Sequence, residues 1–124
     1  MKELPAKNDR HQTGKAGEEL ARRYLEENGY RICAVNWRGR RGELDVVAEK
    51  DGWLIIVEVR TKRTERFGAV REAVDGRKRR QILRVAEEYV MRQRLSEMPV
   101  RIDCIFVDWQ GDRPVVEHVM GVFS

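Results

Sequence analysis

The sequence predicts an α/β domain with the element order αβββαββ and a mixed central sheet flanked by helices. Three features carry that expectation. Two segments repeat apolar residues at helical spacing, an Asp-Gly pair separates two β-rich runs, and two further β-rich runs follow Pro99 and flank Gly111.

Residues 1–12, polar and containing Pro5, read as a flexible tail, and residues 13–124 as one domain. A first helix is expected from Asp9 or Thr13 to Asn28, with Gly17, Leu20, Ala21, Tyr24 and Leu25 as its apolar stripe. Gly29 ends it as a left-handed cap. Tyr30 to Trp37 reads as a first strand, and Arg38 to Arg41 as a polar connection. Glu43 to Lys50 and Trp53 to Arg60 are the next strands, joined by the two-residue turn Asp51-Gly52. Thr61 to Val74 reads as a loop. Asp75 can cap a second helix to about Leu95, with stripe Ile82, Val85, Ala86, Tyr89 and Val90. Val100 to Trp109 and Pro114 to Phe123 complete the sheet.

The 124 residues suffice for one hydrophobic core, and 41% apolar with 37% charged residues suits a densely charged soluble domain. The net charge of +4 is modest, but its distribution is uneven. Ten Lys and Arg lie between Arg60 and Arg84 against Glu65, Glu72 and Asp75, and Arg38, Arg40 and Arg41 form a second knot. Such clusters supply the phosphate-neutralising part of nucleic-acid affinity, or simply a solvated face. Cys33 and Cys104 lie apart, each in an apolar segment, without zinc-ligand spacing, and read as buried free thiols. The longest apolar run, Trp53 to Val57, is far too short for a membrane span, and Met1 to Gln12 lacks the apolar core of a signal peptide. A cytoplasmic protein with no membrane partner is the expectation.

The Asp51-Gly52 turn fixes a register. If Lys50 pairs with Trp53, Asp45 falls opposite Glu58 and Glu43 opposite Arg60. Alternation then puts Leu44, Val46, Ala48, Trp53, Ile55, Val57 and Val59 on a core face. Glu43, Asp45, Glu58 and Arg60, with Lys62 if the strand continues, share the other. Directly opposed like charges are destabilising. Two arrangements offset that cost: a shared hard cation such as Mg²⁺, or a salt-bridge network through Arg60 and its basic neighbours.

Gly42-Glu43-Leu44-Asp45, a spacer, then Val57-Glu58-Val59-Arg60 resembles the split D…(D/E)-x-K signature of PD-(D/E)XK nucleases. The fuller set is similar to the YraN-like family of small bacterial proteins. That set comprises Gly14, Gly17-Glu18, Ala21, Gly29-Tyr30, Asn36-Trp37-Arg38, the two motifs, Thr61, Phe67-Gly68, Lys78 and Arg101-Ile102-Asp103. It covers Gly14 to Asp108, and is more specific than the short signature alone. The resemblance implies a restriction-endonuclease-like core close to Holliday-junction resolvases. It implies that Asp45 and Glu58 hold Mg²⁺ or Mn²⁺ with the Val59 carbonyl, and that Glu18 completes the site. One position departs from the signature, since Arg60 stands where lysine orients the attacking water. Arginine keeps the positive charge but is bulkier and does not deprotonate. Lys62, two residues on along the same face, is a second candidate for that role.

The expected function is therefore a Mg²⁺- or Mn²⁺-dependent endonuclease or phosphodiesterase acting on DNA, with Asp45, Glu58, Glu18 and Arg60 as the catalytic set. The alternative is a non-catalytic nucleic-acid-binding module that retains the nuclease fold, and a third reading is a scaffold with no nucleic-acid role. Arg38, Arg40, Arg41, Lys62, Lys78 and Arg79 are the candidate nucleic-acid contacts, and a homodimer is left open. Lys78 either grips a phosphate near the helix N-terminus or is an ordinary exposed lysine. Asp103 either supports the site or forms a salt bridge in the surroundings of Arg101, and the structural role is the one expected. Trp37, Trp53 and Trp109 read as core or rim packing rather than base-stacking residues. His11 and His118 are isolated in sequence and read as incidental.

Overall fold

The computed structural model describes residues 10–62 and 76–122, and has the predicted order αβββαββ. The elements are α1 (Arg10–Glu27), β1 (Arg31–Arg38), β2 (Glu43–Lys50), β3 (Trp53–Lys62), α2 (Gly76–Arg92), β4 (Val100–Gln110) and β5 (Arg113–Val119). The strands form one sheet in the order β1-β2-β3-β4-β5. The β3–β4 pair is parallel and the other pairs are antiparallel, so the sheet is mixed. Among the described residues no helix is long and apolar enough to cross a membrane.

Both faces of the sheet are covered. Ala21 and Leu25 of α1 pack on Val46, Ala48, Ile55, Val57, Val59, Ile105 and Val107. Ile82, Val85, Ala86 and Tyr89 of α2 pack on Leu44, Val47, Leu54, Ile56 and Ile102. The two helical stripes expected from spacing are the two buried helix faces. β3 is consequently apolar on both sides from Leu54 to Val57, the pattern of a central strand.

Several boundaries differ from the expectation. α1 begins at Arg10, so residues 10–12, assigned to a tail, are helical, while residues 1–9 lie outside the described set. The N-cap expected of Asp75 and the loop from residue 63 onward also lie outside it. Thr61 and Lys62, expected to open that loop, continue β3 because β4 pairs with them as Thr61↔Val107 and Lys62↔Asp108. α2 stops at Arg92 rather than Leu95: Arg94 takes a φ of 58°, and the Leu95 amide donates back to the Val90 carbonyl (2.9 Å). β5 ends at Val119, after which the Gly121 and Val122 amides turn back to Asp103 and Ile102.

Strict alternation fails twice in the β1–β2 pair: the register shifts between Ile32 and Ala34, with Cys33 and Ala34 both against the α2-side cluster, and a second break falls beside Leu44. Leu44 lies in the α2-side cluster with Val47, not with Val46 and Ala48 as expected. Trp37, its partner on β1, packs against the same α2-side cluster, and Asn36 just before it has a φ of 51°. The β1–β2 pairing passes over Asn36 and Asp45, between Val35↔Val46 and Trp37↔Leu44. Trp53, expected on the core face, sits at the sheet rim and is 42% exposed. Cys33 is half-buried rather than buried because β1 is an edge strand, and both cysteines are free.

Candidate metal and phosphate site

The Asp51-Gly52 turn forms with φ values of 52° and 84°, both central residues left-handed as a two-residue hairpin turn requires. It sets Lys50↔Trp53 and carries the register through to Val46↔Val57. The ladder ends there, one step before Asp45 and Glu58. In its place the Asp45 carboxylate reaches across, and Oδ2 accepts the Val59 amide at 2.8 Å. The two acids thus meet beyond the last regular pair of the hairpin, on the α2 side of the sheet.

Glu58 is 4% exposed and Asp45 is half-buried. Lys78 Nζ, from the first turns of α2, lies 3.7 Å from Glu58 Oε1. Oε2 of the same carboxyl is buried and has no hydrogen-bond partner among the described residues, and the same holds for Arg60 Nε. Burial, reinforced by the negative charge of Asp45, pushes the Glu58 carboxyl up to about 7, against the lowering influence of Lys78 and Arg60. Burial also raises Asp45, against the Val59 hydrogen bond and the charges of Arg60 and Lys78. Two basic groups are therefore too little to make both acids comfortable as anions.

An orphaned, buried carboxylate oxygen facing a second carboxylate is the donor set that a hard divalent cation accepts. Val59 can add to it. Its amide points to the β2-facing edge, and in an extended strand the carbonyl of the same residue points the same way. Cys104, the register neighbour of Glu58, is a free buried thiol that burial pushes up to about 12. Among the described residues no three His, Cys, Asp or Glu side chains converge on one point, so the side-chain donors available to a cation here would be the two carboxylates alone.

The structure brings Asp45, Glu58, Val59, Arg60 and Lys78 together, including a lysine expected only among the phosphate contacts. Glu18 is on α1, across the sheet from α2. It follows Gly17, whose missing side chain leaves room for the Thr61 methyl near the end of β3. The neighbouring Glu19 pairs with Arg22 and Arg23, as its spacing predicts. The charges that bear on Asp45 and Glu58 are Arg60, Lys78 and Glu43.

The other basic candidates separate. Arg38 pairs with Glu43 at 3.0 Å, and the Arg40 amide donates to Glu88. Arg41 faces α2, while Arg79 lies on the opposite flank beside Trp53 and Val100. The Lys62 side chain lies outside the described set.

A profile of the uncharacterised protein family UPF0102 matches residues 17–107. The chain belongs to this family. It is the family to which the YraN-like resemblance pointed. Relatives named UPF0102 protein include one from Porphyromonas gingivalis, 47% identical over 118 residues (93% of this chain and 86% of the relative). One from Myxococcus xanthus is 40% identical over 116 residues (94% and 92%). One from Dehalococcoides mccartyi is 39% identical over 111 residues (90% and 92%). The matched span of the family profile contains α1 from Gly17 onward, the whole β2–β3 hairpin, α2 and most of β4, and with them every residue of the carboxylate site.

Sequence spacing missed one cluster. Asp103, fully buried on the α1 side, takes two bonds from Arg101 (2.8 Å each) and one from the Gly121 amide (3.0 Å). His118 Nε2 lies 2.7 Å from Asp103 Oδ2, and its Nδ1 lies 3.1 Å from Tyr24 Oη. Burial alone would raise the Asp103 carboxyl, but bonds from His118, Arg101 and Gly121 hold it at about 2. An ionised carboxylate only accepts, so Nε2 carries the proton, and in the neutral ring Nδ1 accepts from Tyr24. The structural role expected of Asp103 stands, and His118 is part of it.

Proposed function

We propose that this chain is a divalent-metal-dependent phosphodiesterase acting on nucleic acid, DNA first, with an endonuclease-like site at Asp45 and Glu58. The observation that carries the reading is the buried Glu58 carboxyl beside Asp45, one oxygen without a partner, with Arg60 and Lys78 as the adjacent positive charges. Asp45 and Glu58, with the Val59 carbonyl, would hold Mg²⁺ or Mn²⁺. When bound, the cation lowers the pKa of a coordinated water and neutralises charge on a phosphate. The Val59 amide fixes the Asp45 carboxylate, so one ligand is oriented before anything binds. Arg60 supplies positive charge to the phosphate as negative charge develops, and Lys78 reaches the same place from α2.

Arg60 at the lysine position favours a second reading, a nucleic-acid-binding module that retains the fold without cleavage. Incubating purified protein with labelled duplex, single-stranded and junction DNA in Mn²⁺ or EDTA separates the two. Metal-dependent cleavage lost in Glu58→Gln is expected. Binding without cleavage in any metal leaves the second reading.

A further inference from the structure

The β1–β2 connection packs directly on α2. Gly39 lies so close to the Glu88 carboxylate and the Trp37 ring that a Cβ there would overlap both. Gly42, with a φ of 150°, lies where a Cβ would press on Val85 (3.1 Å) and Gln81 (3.3 Å). Glu88 accepts the Arg40 amide through both oxygens (2.9 and 3.1 Å) and is held in turn by Arg92 at 3.0 Å. The loop is thereby pinned before any ligand arrives.

This arrangement carries Arg41 against one flank of α2. Arg77, Arg80 and Arg84 lie on that flank, three and four residues apart and beside the buried stripe, whereas Arg79 and Leu83 fall on the other. Arg41, Arg77, Arg80, Gln81 and Arg84 line a cleft of about 480 Å³. Four guanidinium groups line one space, and no carboxylate is among the described lining residues. Such an assembly of like charge is relieved by an anion, and guanidinium is the group best matched to phosphate oxygens.

We infer that this cleft is a phosphate-binding cradle for an internal phosphodiester of the nucleic-acid strand whose neighbouring phosphate is presented to Asp45 and Glu58. The inference rests on the nucleic-acid reading above and gives it a second point of attachment. Arg77 directly precedes Lys78, the lysine beside Glu58. Arg41 is four residues from Asp45, a separation of roughly 13 Å at most along extended chain. The cradle and the carboxylates therefore flank one short path along the β1–β2 loop and the start of α2. The cradle grips without reading sequence, because phosphate contacts position a strand and base contacts specify it.

The test is fluorescence anisotropy with a labelled single-stranded oligonucleotide in EDTA across a salt series, comparing parent, Arg80→Ala/Arg84→Ala and Arg113→Ala proteins of matched thermal stability. Removing the two cradle guanidinium groups is expected to lower affinity for all sequences alike. It should also reduce the log-log salt slope by about one for each phosphate that the protein no longer neutralises. Arg113→Ala, at the start of β5 and away from the cleft, should stay close to the parent. Equal decreases in both variants, or none in either, would overturn the cradle. An effect seen only with a 5′-phosphorylated strand would overturn the internal-diester assignment. Because the assay needs no cleavage, an inert protein with an intact cradle effect refutes the enzyme reading alone.

Discussion

Lys78 Nζ stands 3.7 Å from Glu58 Oε1, joining the first turns of α2 to the central strand of the sheet at a buried charge. The separation is long for an ion pair and leaves the other carboxylate oxygen unserved. Asp45, on the neighbouring strand, adds a second negative charge to the same spot. Stability and metal response should both follow from this under-compensated pair.

In EDTA, stability should fall as pH rises. Glu58 has its folded-state pKa raised from 4.5 to about 7. Its contribution is therefore fully present below pH 4.5 and is lost as pH rises through about 7. Glu58→Gln should remove that dependence and stabilise the metal-free protein at pH 8 by on the order of 3 kcal/mol or less. Urea unfolding at pH 5 and pH 8 reads it; a parallel pH response in parent and variant counts against the assignment to Glu58.

Mn²⁺ or Mg²⁺ should raise the thermal midpoint of the parent by mass action. The rise should be larger at pH 8 than at pH 6, because the cation must displace a proton held at about pH 7 on Glu58. Glu58→Gln should show no increment at either pH. An unchanged midpoint in the parent at pH 8, with a destabilised Glu58→Gln, would support the salt-bridge network instead.

Arg60→Lys should preserve or increase metal-dependent cleavage, because the compact ammonium can approach both water and phosphate. Arg60→Ala should lower cleavage on the order of 100-fold while leaving DNA affinity nearly intact. Gel assays of both variants check this. If Lys62→Ala is the damaging change, the role lies one strand step further along.

The Asp103 network should matter for folding and not for binding. His118→Ala should cost about 1–3 kcal/mol, and Asp103→Ala about 3–5 kcal/mol by leaving Arg101 with the Tyr30 hydroxyl but no carboxylate. Asp103 is depressed from 3.8 to about 2, so its stabilisation is present above pH 3.8 and lost as pH falls through about 2. That window does not overlap the Glu58 one. DNA affinity reduced along with stability at neutral pH would argue against a purely structural network.

The carboxylate site was legible because a turn with two left-handed residues fixes the pairing of everything beyond it. Asp51-Gly52 led from Lys50↔Trp53 to the meeting of Asp45 and Glu58. The face of Leu44 was not legible, since the positive φ of Asn36, where the pairing passes over Asp45, lies on the neighbouring strand and leaves no trace in the alternation of β2. His118 was missed because its partner lies across a strand pair and not at helical spacing. The turn at Gly111-Asp112 pairs Gln110 with Arg113 and so Ile105 with His118, which makes Asp103 a diagonal neighbour. The arginine cradle depends on how a glycine-containing loop folds against a helix, and charge counting along the chain merged Arg79 with Arg80 although they face different ways.

The Val59 amide is held by the Asp45 side chain rather than by a strand, because the β2–β3 ladder ends at Val46↔Val57. Its protection from solvent exchange therefore follows the chemical state of that one carboxylate. Protonation of Asp45 weakens the acceptor and should quicken exchange, while a cation drawing on the other oxygen should leave it slow and shift its resonance. A backbone position inside the sheet thus acts as a gauge, readable by NMR without substrate or label, of whether the site is protonated, charged or filled.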